Sequence, residues 1–317
     1  MQALLQRWYQ AGKQCSRLEQ SFSWLLAALI ALLLLHSFLG QFEPRSPYDI
    51  ESGASGYSLD LHDYALVHHR QISMPLENAS GLTYNAESKT LFMVLNRPEA
   101  IIELSLTGEV LRKITLRGFD DTEAISWIEG KQFVIAEEEH RQLQLVAIDE
   151  ATLVIDKVEA RTFVFPDHRR NNKGIEGVTF NRHTGQVYVA LESKPMTVFN
   201  RTLFGGSASS QFAPLMHLPA DSQSLIDLSG LQYVEENGNL LMLSHKSSRL
   251  IEVDMHGRLV SELPLRQPGQ NGPEEIPQAE GVTIDEQGTI YVCSEPDLFY
   301  VYRPQAHEWR SLAAVID

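Results

Sequence analysis

The stretch Ala79-Ser80-Gly81-Leu82-Thr83-Tyr84 recurs in related form four more times along this 317-residue chain. Every copy has a small residue, an apolar residue, a hydroxyl or amide side chain and a large apolar residue in the same order. The copies begin at residues 79, 122, 175, 228 and 279, so successive starts are 43, 53, 53 and 51 residues apart. The other four copies read Thr122-Glu123-Ala124-Ile125-Ser126-Trp127, Ile175-Glu176-Gly177-Val178-Thr179-Phe180, Leu228-Ser229-Gly230-Leu231-Gln232-Tyr233 and Ala279-Glu280-Gly281-Val282-Thr283-Ile284.

Each copy is followed by further short apolar runs, separated by polar turns. In the first unit these runs cover residues 91–94, 100–104 and 110–112, and the third of its strands alternates in polarity. Four antiparallel strands in a unit of this length are typical of a β-propeller blade. Five unit starts therefore predict an all-β propeller of five blades. Six is the competing number, but gaps of about 53 residues leave no room for another blade. Residues 64–67 are expected to form the outer strand that closes the ring.

Composition restricts the function classes. Hydrophobic residues make up 43% of the chain, which is enough for a large core. A formal net charge of −15, with no basic block, argues against nucleic acid as a partner. The two cysteines, Cys15 and Cys293, are not expected to form a disulfide, because the topology below places them on opposite sides of a membrane.

An uncharged apolar segment, residues 22–39, is long enough to cross a bilayer. A cleaved signal peptide is the alternative, but no pair of small residues follows at the required spacing. Arg7, Lys13 and Arg17 precede the segment, so its N-terminal side is expected to be cytoplasmic. The predicted organisation is a cytoplasmic tail (1–21), a transmembrane helix (22–39), a linker (40–58) and a periplasmic propeller (59–317). In a bacterium this predicts a single-pass protein of the inner membrane.

Two sets of equivalent positions are expected to lie at one mouth of the central channel. The start of a first strand lies beside the end of an antiparallel second strand, so both sets belong to the same rim. The first set is Ser80, Glu123, Glu176, Ser229 and Glu280; the second is Asn96, Glu137, Glu192, His245 and Glu295.

Six glutamates gathered around one axis repel one another unless protons or a cation neutralise them. Numerous oxygen ligands favour Ca²⁺ over Zn²⁺, although Mg²⁺ and Mn²⁺ remain alternatives. The predicted ligands are Glu123, Glu176, Glu280, Glu137, Glu192, Glu295 and Asn96. The competing interpretation is a solvated rim in which the glutamates pair with nearby bases, namely Arg97, Lys173, Lys194 and Lys246.

No familiar catalytic motif occurs in the sequence, so we expect no catalytic residues and a calcium-responsive binding protein rather than an enzyme. The alternative is a metal-dependent hydrolase, either a phytase-like phosphatase or a lactonase, in which a channel glutamate acts as base. The expected partners are the divalent cation, the membrane and, as a further possibility, a periplasmic protein.

Several segments resemble the SdiA-regulated family, calcium-regulated propellers of Gram-negative bacteria. The most specific are Pro277-Gln278-Ala279-Glu280-Gly281 and Ser294-Glu295-Pro296, supported by Leu95-Asn96-Arg97-Pro98 and Leu243-Ser244-His245. The resemblance covers roughly residues 60–304. It implies an N-terminally anchored periplasmic propeller, related in architecture to phytase-like propellers, with a part in calcium homeostasis or signalling.

Overall fold

The computed structural model describes residues 58–74, 78–165, 174–191, 196–204, 211–218 and 225–305. By its internal contacts the chain divides after Ser55, and every described residue belongs to the unit Gly56–Asp317. Among these residues no helix is long and apolar enough to cross a membrane. The predicted helix at residues 22–39, the cytoplasmic tail and most of the linker lie outside the described residues.

Twenty-three described strands, numbered β1–β23 along the chain, form five blade-like sheets and one small hairpin. The first blade contains β2 (Ala79–Asn85), β3 (Thr90–Leu95), β4 (Ala100–Leu104) and β5 (Val110–Arg117), and the short β9 (Val154–Asp156) adds to its edge in parallel. The second contains β6 (Thr122–Glu129), β7 (Gln132–Glu137), β8 (Gln142–Ala147) and β10 (Arg161–Val164). The third contains β11 (Ile175–Asn181), β12 (Gln186–Leu191), β13 (Thr197–Thr202) and β14 (Ala213–His217).

The fourth blade contains β15 (Gly230–Tyr233), β16 (Leu240–Ser244), β17 (Arg249–Val253) and β18 (Leu259–Pro264). The fifth contains β21 (Ala279–Ile284), β22 (Ile290–Ser294) and β23 (Leu298–Pro304), and its outer strand is β1 (Tyr64–Gln71). The hairpin of β19 (Arg266–Gly269) and β20 (Gly272–Glu275) lies between the last two blades in sequence. Single 3₁₀ turns occur at Leu61–Asp63 and Lys157–Glu159.

The five predicted repeats are confirmed as five blades arranged in a closed ring. The inner strand β2 contacts β6, β6 contacts β11, β11 contacts β15, β15 contacts β21, and β21 returns to β2. The predicted closure by residues 64–67 is also confirmed, since Tyr64 pairs with Pro304 and Gln71 with Leu298. β1 thus supplies the outer strand of the fifth blade and joins the beginning of the propeller to its end.

The hydrophobic core of the described residues is divided into five clusters, each lying between two neighbouring blades. The third strand of a blade is therefore covered on both of its faces. The alternation of polar and apolar residues seen in its sequence does not separate a core face from a solvent face. Their polar residues Glu103 and Glu252 are buried instead. Glu252 accepts hydrogen bonds from Ser58, Ser261 and the backbone N–H of Leu59, which joins the chain before β1 to the fourth blade.

The small residue of each repeat lies where neighbouring inner strands cross. A Cβ atom added to Gly81 would lie 2.7 Å from Cα of Ala124, and one added to Gly281 would lie 2.7 Å from the backbone N of Leu82. Such separations are shorter than van der Waals contact, so only the smallest residues fit. This close approach narrows the channel at its centre to a cavity of about 10 Å³.

The hydroxyl position of the repeat joins the inner strands to one another. Oγ1 of Thr83 accepts from the backbone N–H of Trp127 at 3.0 Å, and Oγ1 of Thr283 accepts from that of Tyr84 at 3.0 Å. Thr179 makes the equivalent bond to Tyr233 at 2.9 Å. Side-chain hydroxyls thus satisfy backbone donors that no neighbouring strand can reach.

Cys293 is a free, fully buried thiol, as its apolar neighbours in sequence predict. Burial, reinforced by the negative charges of Glu280 and Glu295, raises the pKa of this thiol far above its ordinary value. Cys15 lies outside the described residues.

Candidate metal centre

Four of the five predicted rim positions of the first strands are β-bulges, and three of them are predicted ligands. The pairing of the first and second strands shifts between Ala79 and Gly81, and it shifts in the same way in three other blades. The residues left unpaired at these shifts are Ser80, Glu123, Glu176 and Glu280. A bulge removes its residue from the ladder and redirects the side chain, and bulges are common beside functional sites. Glu176 and Glu280 accordingly line the narrow centre of the channel.

In three blades the residue following the second strand lies next to the bulge. The backbone N–H groups of Asn96, Glu138 and Glu295 donate to the carbonyl oxygens of Asn78, Asp121 and Gln278, at 3.1, 2.9 and 2.9 Å. Each acceptor is the residue just before a first strand. The equivalent of Asn96 in the second blade is therefore Glu138, one residue beyond the predicted Glu137.

Glu137 is fully buried and belongs to a different environment. It pairs with Thr122 in the ladder, as Leu95 pairs with Ala79. Its oxygens accept from Lys157 at 2.8 Å, from Gln144 at 2.7 Å and from the backbone of Asp120 at 2.9 Å. The assignment of Glu137 to the channel rim was wrong, because a slip of one residue along a strand turns the side chain to the opposite face.

Three carboxylates of the described residues come together at this mouth. Oxygens of Asp121, Glu123 and Glu138 all lie within 4.8 Å of one another. Nδ2 of Asn96 donates to Glu123, while its Oδ1 is buried and accepts no hydrogen bond from the described part of the chain. Glu138 also accepts from the backbone N–H of Gly174 at 2.8 Å. The oxygen atoms of these residues form a set of donors suited to a hard cation.

The charge of this group is costly without a counterion. Burial, together with the neighbouring charges of Asp121, Glu138 and Glu295, raises the pKa of Glu123 to about 8. A hydrogen bond from Ser80 to Glu123 lowers this pKa. Burial also raises the pKa of Glu295, although the nearby His245 and Gln278 lower it. A site that raises the pKa of its carboxyl groups favours binding of either protons or a metal ion.

The predicted residues Glu280 and His245 belong to a second polar group on the same rim. Nδ1 of His245 lies 3.2 Å from Oδ2 of Asp227 and 3.4 Å from Oε1 of Glu280. Asp227 is almost fully buried and also accepts from Ser244. The buried carboxylate of Asp227 therefore orients the imidazole ring.

The expected pairing of glutamates with nearby bases takes a different form. Arg97 lies 3.7 Å from Asp121, and Lys246 lies 3.6 Å from Asp227, so both cations contact aspartates. Lys173 and Lys194, and the predicted ligand Glu192, lie outside the described residues.

Asp121 and Asp227 were missed by the sequence interpretation. Both occupy the position immediately before a repeat, where the other units have Asn78, Gly174 and Gln278. Four of these five residues carry a side-chain oxygen. Extending the alignment of the repeats by one residue reveals this pattern.

The fold and this mouth define a class: five-bladed β-propellers with a carboxylate-rich group at one end of the channel. The sequence model of the SdiA-regulated family matches residues 57–303, and the chain belongs to that family. Among solved structures, a chain of a nidogen/laminin complex is 14% identical, with a TM-score of 0.45 over 68% of this chain and 72% of that one. A streptogramin B lyase is 10% identical, with a TM-score of 0.44 over 77% of this chain and 99% of the lyase.

Proposed function

We propose that this protein is a membrane-anchored periplasmic propeller that binds Ca²⁺ at one mouth of its channel and acts in calcium-responsive signalling or homeostasis. The observation that carries the proposal is the group of Asp121, Glu123 and Glu138, whose oxygens lie within 4.8 Å of one another. The buried Oδ1 of Asn96, which accepts no hydrogen bond from the residues that the structure describes, supplies a second, independent reason to expect a cation. The anchor rests on the uncharged segment at residues 22–39 and on the basic residues before it.

The choice of Ca²⁺ follows from the donor atoms. Asp121, Glu123, Glu138 and Asn96 offer oxygen alone, which suits a hard cation. Zn²⁺ sites use imidazole or thiolate, and among the described residues no imidazole or thiolate joins this group of carboxylates. Ca²⁺ accepts six to eight oxygens in flexible geometry, so it tolerates irregular side chains better than Mg²⁺ does.

A metal-dependent hydrolase is the second candidate, and the pair of His245 and Asp227 favours it. With Nδ1 directed to Asp227 at 3.2 Å, Nε2 is left to accept a proton. A cation at the carboxylates would polarise a phosphoryl or carbonyl oxygen of the substrate. In this scheme the imidazole, rather than a channel glutamate, is the general base.

Calorimetric titration of the purified full-length protein with CaCl₂ separates these candidates. It is paired with assays of phosphomonoester and lactone hydrolysis, with Ca²⁺ and with EDTA. We expect one saturable Ca²⁺ site and no turnover. If the protein shows metal-dependent turnover and His245→Gln abolishes it, the hydrolase hypothesis holds and the purely binding function is rejected. The absence of any Ca²⁺ binding would refute both.

The affinity for Ca²⁺ is expected to fall at acidic pH. Glu123 has a pKa of about 8 in the folded protein, above its ordinary value of 4.5, so Ca²⁺ must displace a proton below pH 8. The displacement of one proton predicts about a tenfold loss of affinity per pH unit between pH 8 and pH 5. Above pH 8 the affinity should level off. Titrations in the calorimeter at pH 5.5, 6.5, 7.5 and 8.5 measure this slope, and a flat profile would contradict the role of Glu123.

The raised pKa of Glu123 also affects the stability of the metal-free protein. A carboxyl group with a raised pKa is stabilising when protonated, so the folded state holds more protons than the unfolded chain between pH 4.5 and pH 8. The contribution of Glu123 to stability therefore declines as the pH rises through this window. Added Ca²⁺ should raise the melting temperature more at pH 8 than at pH 5.5.

A further inference from the structure

The opposite mouth of the channel contains a separate cavity. It has a volume of about 60 Å³ and is lined by residues of all five blades. The narrow centre formed by the repeat glycines lies between it and the carboxylates of the first mouth. A ligand in this cavity would therefore make no contact with the candidate metal centre.

Charge in the wall of this cavity is mostly negative. Four carboxylates line it, those of Glu235, Glu236, Asp285 and Glu286, against Arg182 in the wall and Lys89, which pairs with Glu286. Arg182 is already engaged, since its Nε lies 3.2 Å from Oε1 of Glu235 and its backbone N–H donates to the same oxygen at 3.1 Å. An anionic ligand would meet repulsion here, whereas a cation would gain from the field.

Two of these carboxylates can accept a further hydrogen bond. Oε2 of Glu235 is buried and accepts no hydrogen bond from the described residues, and the imidazole Nε2 of His183 lies 3.3 Å away. Glu236, which lines the cavity and is exposed to solvent, makes no ion pair within the described chain. A buried acceptor without a donor is unfavourable, and a ligand N–H group would satisfy it.

Aromatic rings form a further part of the wall, contributed by Tyr84, Trp127, Phe180 and Tyr233. The protein's own cations already contact two of these rings. The guanidinium of Arg182 lies 5.0 Å from the centre of the Trp127 ring, and the ammonium of Lys89 lies 5.9 Å from that of Tyr84. Rings with acidic residues beside them attract organic cations through the negative potential of the ring face.

We propose that this second mouth binds a primary alkylammonium ion. The ammonium group would donate to Glu235 and Glu236, and its first carbon atoms would lie against the aromatic rings. A volume of about 60 Å³ accommodates the ammonium and one or two methylene groups. The remaining chain would extend through the open side. The inference is independent of the proposed Ca²⁺ function.

Calorimetric titration of the purified full-length protein with n-butylammonium chloride in EDTA tests this site. Sodium chloride at matched ionic strength is the blank, and 1-butanol, which has the same number of heavy atoms, is the neutral control. We expect saturable binding of butylammonium and none of 1-butanol. Equal heats from both compounds, or no saturable heat from butylammonium, would overturn the proposal.

Variants of Glu236 locate the binding to this mouth. Glu236 is exposed on its outer side, so substitution there leaves the core intact. Glu236→Gln is expected to weaken butylammonium binding at least tenfold, and Glu236→Lys to abolish it, whereas the exposed Glu150→Gln leaves it unchanged. Glu123→Gln should also leave it unchanged, which separates this site from the Ca²⁺ site. Full affinity in Glu236→Lys would exclude this cavity as the binding site.

Discussion

Replacement of Glu123 by glutamine is expected to weaken Ca²⁺ binding by about 100-fold or more. Glu123 occupies the centre of the candidate site, where its oxygens contact Asn96 and lie within 4.8 Å of those of Asp121 and Glu138. Glutamine keeps the shape of the side chain but removes a negative charge from a largely buried position. Calorimetric titration of both proteins with CaCl₂ at pH 8 measures the difference.

The stability of the metal-free variant provides an internal check. Glutamine resembles the protonated form of Glu123, so the Glu123→Gln protein should fold normally and lose part of its dependence on pH between 4.5 and 8. Glu139→Gln is the matched control, because Glu139 follows Glu138 in the same turn and is exposed. Comparable affinity losses in the two variants would argue against a site centred on Glu123.

Gly81→Ala is expected to lower the free energy of unfolding by about 3 kcal/mol. The added Cβ would lie 2.7 Å from Cα of Ala124 and 2.9 Å from two further backbone atoms, the carbonyl oxygen of Glu123 and the N of Ile125. Because these neighbours are backbone atoms, no side-chain rotation relieves the clash. Urea denaturation of the variant and the parent protein measures the loss.

Gly130→Ala separates crowding from the general effect of replacing a glycine. Gly130 has a positive φ of 49°, but an added Cβ there would meet no atom within 4 Å. The expected cost is about 1 kcal/mol, from backbone conformation alone. If Gly81→Ala were no worse than Gly130→Ala, the close crossing of the inner strands would not be the reason for the small residue in the repeat.

Much of the architecture could be predicted from the repeats. Five copies of one short motif predicted five blades, and residues 64–67 were correctly assigned to the closing strand, which the pairing of β1 with β23 confirms. These predictions succeeded because each blade has the same requirements for turns, apolar strands and a small residue at the axis. Family membership was recognised from the most specific segments, Pro277-Gln278-Ala279-Glu280-Gly281 and Ser294-Glu295-Pro296.

The composition of the candidate site was harder to predict. The run Glu137-Glu138-Glu139 allows three alignments with the end of a second strand, and the choice of Glu137 was off by one residue. Asp121 was overlooked because it precedes the aligned motif. The error over Glu137 was not visible from spacing, since bulges change the register of individual residues without changing the length of a repeat. Asp121, in contrast, appears when the alignment is extended by one residue.

The sequence by itself determined the number of blades, their order and the presence of acidic residues at the equivalent position in three of the five first strands. Only the tertiary structure decided which carboxylates meet, placing Asp121 and Glu138 beside Glu123 and turning Glu137 toward Lys157. The physical reason is that a repeated pattern specifies backbone pairing, whereas one extra residue at a bulge reverses the direction of a side chain. Contacts across the channel form only when all five inner strands converge.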